Sequence, residues 1–413
     1  MIRTITVRNF KSLKDFRLDL NHNTALVGLN AAGKSTVLQA LDFLSASMRL
    51  GDAKVWLQRR DCWTEELLSG TGARSAISAK RARNAETADT TFTFSAVADS
   101  ADGTSFLRWT GCFDTQGNRV RCVRETVERS PTAAFDHADT VTVFSQDGRT
   151  YRSVDGPEGP ICFHFEGALL GNLRDEMLPA DCVRLRNQLG AVRVMDVLSL
   201  PDLRADVKID TQRPDRNVGE RGERLTGLLF AMPEADFRGL VAELQTFFPE
   251  VVGLETRFSG NDTYRLVVRM RVGDREMEVS AAHCPDGLLR VLALLAEMRC
   301  GDGLLCLDEI ENGLCMDVLD KLMRSLPKMP RQILFTTQSV IALNYVARED
   351  VRILYRDRLG GTRSGLLADL KTREYVDFYE PGDALYFTSL AKASAELRGD
   401  QRDGLKTGDD GTT

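Results

Sequence analysis

The octapeptide Gly28-Leu29-Asn30-Ala31-Ala32-Gly33-Lys34-Ser35 matches the pattern G-x-x-x-x-G-K-[ST] at every position. The residue types suit one chemistry. Gly28 and Gly33 let the backbone curl, so that the N–H groups of Asn30, Ala31, Ala32, Gly33, Lys34, Ser35 and Thr36 can turn toward a phosphate chain. Lys34 is placed to reach the β and γ phosphates, and the Ser35 hydroxyl to bind Mg²⁺. The flanks agree. Thr24–Gly28 is a short apolar strand, and residues 34–48 carry Val37, Leu38, Leu41, Phe43 and Leu44 at near-helical spacing. A glycine turn that matches by chance lacks this strand before it and helix after it, whose positive N-terminal end adds to the anion site.

A nucleotide site of this kind needs a second element, an apolar strand ending in acid. Leu304-Leu305-Cys306-Leu307-Asp308-Glu309 supplies it, about 270 residues later. Asp308 is expected to hold Mg²⁺ through water, and Glu309 to polarise an attacking water as general base.

Outward from these motifs, residues 5–7 and 16–20 read as strands. Residues 70–90 are small and polar, a loop. Runs at 91–98, 105–113, 118–128 and 140–144, some separated by glycine turns such as 116–118, predict an antiparallel β subdomain. Residues 166–248 read as mixed and mostly helical, with an apolar helix face at 236–248 and a polar loop at 206–225. Strands return at 263–272 and 276–280, and residues 398–413 read as a disordered tail.

The resulting partition is residues 1–50, the first part of a nucleotide-binding head; 51–160, a β-rich subdomain; 161–260, a helical subdomain; 261–397, the second part of the head; and the tail. The fold class is α/β.

Composition narrows the classes. The chain has 413 residues, 43% of them apolar and 28% charged, which excludes a wholly disordered protein. No apolar run reaches 18 residues, and the first ten residues lack a signal-peptide centre, so a cytoplasmic protein without a membrane partner is expected. A net charge of −6 argues against a globally basic nucleic-acid binder. Nine cysteines without a C-x-x-C pair, and four histidines, argue against a zinc site or a disulfide framework.

Five elements in order now carry a resemblance. They are the glycine loop; Pro285-Asp286-Gly287-Leu288-Leu289-Arg290 opening an apolar helix; Leu304–Glu309; Glu311-Asn312-Gly313-Leu314; and strand Ile333–Thr337 leading to Gln338. The chain resembles ABC-type, AAA-family ATPase heads of the SMC, RecF and OLD-like branch, whose Walker A, signature, Walker B, D-loop and switch motifs stand in this order. The resemblance implies a P-loop NTPase head with an antiparallel β subdomain and a helical insertion. It implies binding of ATP with Mg²⁺, and a homodimer in which Asp286 and Gly287 of one protomer cover the nucleotide of the other. It also implies slow hydrolysis involving Lys34, Glu309 and Gln338, and use as a switch for a separate effector protein, with relatives in phage defence.

Pro285 stands where a signature serine is usual, Cys315 follows the D-loop where relatives often carry His, and Gln338 occupies the switch-histidine position. No Q-loop glutamine is assigned; Gln58 is the nearest candidate. No clustered acidic motif follows Ser339, so a built-in metal-dependent nuclease domain is not expected. Two further readings stand beside the switch. One is a RecF-like repair ATPase that binds DNA through Arg119, Arg121 and Arg124 or Arg184, Arg186 and Arg193. The other, prompted by Pro285 and Gln338, is a nucleotide-binding scaffold without turnover. His283-Cys284, His164 and the three tryptophans, Trp56, Trp63 and Trp109, read as structural.

Overall fold

A computed structural model describes residues 1–49, 52–60, 62, 64–69, 90–115, 119–136, 138–154, 156–260, 262–370 and 379–399. The 70–89 part of the polar loop, Trp63, the glycine turn at 116–118 and residues 400–413 of the tail lie outside the described residues.

Three sheets organise the chain. The central one is mixed, in the order Arg193–Met195, Leu305–Leu307, Ile333–Thr336, Asn23–Gly28, Val351–Arg356 and Thr362–Leu366. Its first five strands are parallel and the last turns back antiparallel. These parallel strands are short and almost wholly apolar, as strands covered on both faces must be. The second sheet has eight antiparallel strands. Its order runs Leu13–Asp19, Ile2–Phe10, Thr91–Asp99, Phe106–Asp114, Arg121–Ser130, Val141–Gln146, Thr150–Ser153 and Gly159–Pro160. The third is a small antiparallel sheet of Val207–Lys208, Val251–Gly260, Thr263–Val272 and Arg275–Ser280.

Helix Lys34–Ser47 lies between the first two sheets, which explains why residues well beyond its predicted face are buried, including Ala40, Ser45 and Ala46. Phe43 projects from it into an aromatic cluster, with ring centroids 5.3 Å from Trp56 and Phe113, 5.5 Å from Phe92 and 5.8 Å from Phe10. Such pairs add roughly 0.5–1.5 kcal/mol each beyond simple burial. The opposite face of the central sheet packs on helix Asp286–Met298, which buries Leu288, Leu289, Val291, Leu292 and Leu295.

Two readings of the sequence need correction. The stretch 166–248 contributes strand Arg193–Met195 to the central sheet; three residues are too few to show a period. The loop read at 206–225 contains Val207–Lys208, paired with Tyr264 and Thr263. His164 lies exposed and outside any strand.

Candidate nucleotide site

Asn23–Gly28 occupies the interior of the central sheet, and the loop that follows leaves at the carboxyl end of the parallel strands, where open α/β sheets receive ligands. Ala31 (φ 63°) and Gly33 (φ 112°) take left-handed backbone there. Gly33 is the N-cap of helix Lys34–Ser47, with no side chain capping the first turn and no acid within it. The first turn therefore keeps its N–H groups without a side-chain cap, the arrangement that an anion would need. Lys34 Nζ donates to Gly28 O at 2.7 Å. Burial lowers the Lys34 pKa, while the charges of Asp308, Glu309 and Glu311 oppose that shift. Three carboxylates from a segment some 270 residues distant thus lie near enough to act on the charge of the loop lysine.

Those carboxylates are held by their neighbours. Register across the central sheet brings Asp308 beside Thr336, whose hydroxyl donates to Asp308 Oδ1 at 2.6 Å and accepts the Glu309 N–H at 2.8 Å. Glu309 has a left-handed backbone (φ 47°), and its carboxylate accepts from Asn312 Nδ2 at 3.2 Å. Glu311 takes bonds from the Thr337 hydroxyl and the Gln338 N–H, both at 2.7 Å. The donor set suits a divalent cation beside a phosphate: the exposed Ser35 hydroxyl and Asp308 can hold one, and Glu309, next to Asp308 in the chain, bonds Asn312 through one of its two carboxylate oxygens.

Asp286 and Gly287 lie elsewhere. They open their helix against the D-loop-like turn, with Gly287 facing Gly313 O and Arg204 paired to Asp286. Among the described residues no hydrogen bond or ion pair joins either to the phosphate loop. Gln338 sits exposed at the end of its strand. Gln58 is exposed on helix Asp52–Arg59.

Sequence reasoning missed three groups. Asp196 follows Met195 in the strand beside Leu305–Leu307, and since Met195 pairs with Leu307, it lies next to Asp308 on the same face. Burial raises the Asp196 pKa; Arg60 opposes that shift, and the charge of Asp308 adds to it. Arg356 Nε donates to Ala31 O at 2.8 Å, and the Thr362 hydroxyl donates to Ala32 O at 3.0 Å. No local pattern marks these residues; only sheet order delivers them.

Other candidates disperse. Cys284 is buried, with its thiol pushed up to about 11, while His283 is exposed. Trp56 and Trp109 are core residues. Arg193 turns inward to buried Glu297 at 3.4 Å, Arg186 pairs with Asp175, and Arg121 lies over the Phe165 ring. Arg119, Arg124 and Arg184 are exposed. No disulfide joins the nine cysteines, and no described helix is long and apolar enough to cross a membrane.

A family model described as "AAA ATPase domain" matches residues 1–82. An "AAA domain" model, whose description also names the AbiEii toxin of a Type IV TA system, matches residues 187–344. The OLD nuclease of Thermus scotoductus is 45% identical over 56 residues, which is 14% of this chain and 9% of that protein, so the match spans under a tenth of the relative's length. Among solved structures, the Smc head domain of Pyrococcus furiosus, with an extended coiled coil and bound to the C-terminal domain of ScpA, superposes with a TM-score of 0.50 at 12% identity. The alignment covers 91% of this chain and 98% of that one. The SMC head domain of Thermotoga maritima gives 0.46 at 11% identity, over 88% and 98%. The first model covers the phosphate loop and the second the acidic strand, and the fold is similar to that of the Smc head domain.

Proposed function

We propose that the protein binds ATP with Mg²⁺, hydrolyses it slowly, and uses the bound and hydrolysed states as a dimerisation switch for a separate effector protein. The observation that carries this reading is the convergence of Lys34, Asp308 and Glu309 at one edge of the central sheet. Mg²⁺, held by Ser35 and Asp308, would neutralise phosphate charge. The backbone N–H groups of residues 30, 31 and 33–36 and the Lys34 ammonium bind the β and γ phosphates, while the Ala32 N–H, counted among them from the sequence, is taken by Leu29 O at 3.0 Å. Glu309 takes a proton from water as its oxygen bonds to the γ phosphorus and the bond to the β–γ bridging oxygen breaks, leaving ADP and phosphate.

Exposed Asp286 and half-buried Gly287, at a helix N-terminus and away from their own phosphate loop, are available to the nucleotide of a second copy. Gln338 would sense the γ phosphate by hydrogen bonding. Calorimetry with Mg²⁺ and a non-hydrolysable ATP analogue tests the core of the reading: binding by the wild type and its loss in Lys34→Ala are expected, and no uptake by the wild type refutes it. For the switch, the Glu309→Gln protein should run as a dimer with ATP and a monomer without it in size-exclusion chromatography.

A further inference from the structure

We propose that the nucleoside half of the nucleotide is received by the turn at residues 356–362, with Arg356 and Leu359 as its contacts. This deepens the ATP reading above and rests on it. Sheet order supplies the direction. Asp308, Glu309 and Glu311 reach Lys34 from strands on one side of Asn23–Gly28. A triphosphate whose γ end meets that side leaves the loop on the other. The neighbour there is Val351–Arg356, parallel to Asn23–Gly28 and ending at the same edge.

What stands at that edge is a built turn. Asp357 Oδ1 accepts the N–H groups of Leu359 at 3.0 Å and Gly361 at 2.8 Å, and its Oδ2 accepts Arg363 Nε at 3.0 Å. Its backbone exchanges bonds with Gly360 and Gly361. Lys14 Nζ holds the Leu359 carbonyl. The Leu359 backbone is thus fixed while its side chain is 80% exposed. Arg356 joins the turn to the phosphate loop, with Nε on Ala31 O and Nη1 on Gly360 O at 3.0 Å. Its Nη2 has no hydrogen bond among the described residues. A planar guanidinium with a spare donor beside the loop suits an α-phosphate oxygen or a ribose hydroxyl. An uncovered aliphatic side chain on a rigid turn suits the face of a base, which would cover it.

The experiment is calorimetry on the full chain with two probes, Mg²⁺ with AMP-PNP and Mg²⁺ with inorganic tripolyphosphate, which lacks the nucleoside. Leu359→Ser should weaken AMP-PNP about tenfold, the scale of one covered leucine side chain, and leave tripolyphosphate within twofold. Arg356→Ala should weaken AMP-PNP more than tripolyphosphate. Equal loss of both probes in both variants would reduce the turn to a buttress of the loop and overturn the proposal, as would unchanged AMP-PNP binding in both. Retained tripolyphosphate binding reports that the loop is folded. A wild type that binds neither probe refutes the ATP reading itself, a result distinct from either of these.

Discussion

The two flanks of strand Asn23–Gly28 are built on different principles. On the side of Ile333–Thr336 and Leu305–Leu307, the polar groups bond to one another: Thr336 to Asp308 and Glu309, Asn312 to Glu309, Thr337 and Gln338 to Glu311. They reach the phosphate loop through charge on Lys34. On the side of Val351–Leu366, side chains bond to the loop itself, Arg356 to Ala31 O and Thr362 to Ala32 O. One flank holds reactive groups beside the loop without gripping it; the other grips it. Substitutions on the first should change rate with binding spared, and substitutions on the second should change binding.

The largest effect expected is on the acidic flank. Glu309→Gln should lower phosphate release by about 10²–10⁴-fold, the range for a lost general base, with analogue affinity kept within a few-fold; a parallel loss of affinity would erase the contrast. Next comes the gripping flank. A Cβ on Gly33 would stand 2.3 Å from Thr362 Oγ1 in left-handed backbone, so Gly33→Ala should destabilise the folded loop by about 1–3 kcal/mol and weaken both AMP-PNP and tripolyphosphate, read by melting and calorimetry. Thr336→Val removes the shared hydroxyl and leaves the Glu309 N–H unpaired. Turnover should fall about tenfold, the scale of one buried hydrogen bond, with affinity unchanged.

The smallest effect on turnover should come from Glu125, outside both flanks, which sharpens the contrast as a control. This carboxyl is fully buried, accepts from Trp109 Nε1 at 2.7 Å and the Leu169 N–H at 2.9 Å, and is raised by burial to about 7. The folded state therefore keeps its proton where the unfolded chain, near 4.5, releases it. Stability should fall as pH rises from about 4.5 to 7, by roughly 3 kcal/mol in all. Melting curves at pH 5 and 8 should show that Glu125→Gln lacks this drop.

What was legible in the sequence follows the same division. The phosphate loop and Leu304–Glu309 are contiguous segments whose chemistry sits within a few residues, so spacing alone displays them. Helix Lys34–Ser47 and six of the eight strands of the large antiparallel sheet are long enough to be read; Thr150–Ser153 and Gly159–Pro160 are not. Asp196 and Thr362 could not be found that way. Asp196 matters only because Arg193–Met195 pairs with the acidic strand, and Thr362 only because the hairpin of Val351–Arg356 and Thr362–Leu366 lies beside the phosphate loop. Signals of that kind belong to sheet order, which a local window does not contain.

One small contact has a consequence for how the protein is made. The Thr362 hydroxyl spends its proton on Ala32 O, so Ser12 is the donor across the 2.9 Å between the two hydroxyls, and the Thr362 N–H bonds Ser12 O at 2.8 Å. Asn23–Gly28 likewise waits for both neighbours, Ile333–Thr336 and Val351–Arg356. During translation the glycine loop therefore waits about 300 residues or more for the two strands that flank its own. Pairings so distant are slow to close and leave apolar strands uncovered meanwhile. A ribosome-stalled fragment ending before residue 350 should therefore retain chaperones and ignore ATP, gaining affinity only when its last hairpin arrives.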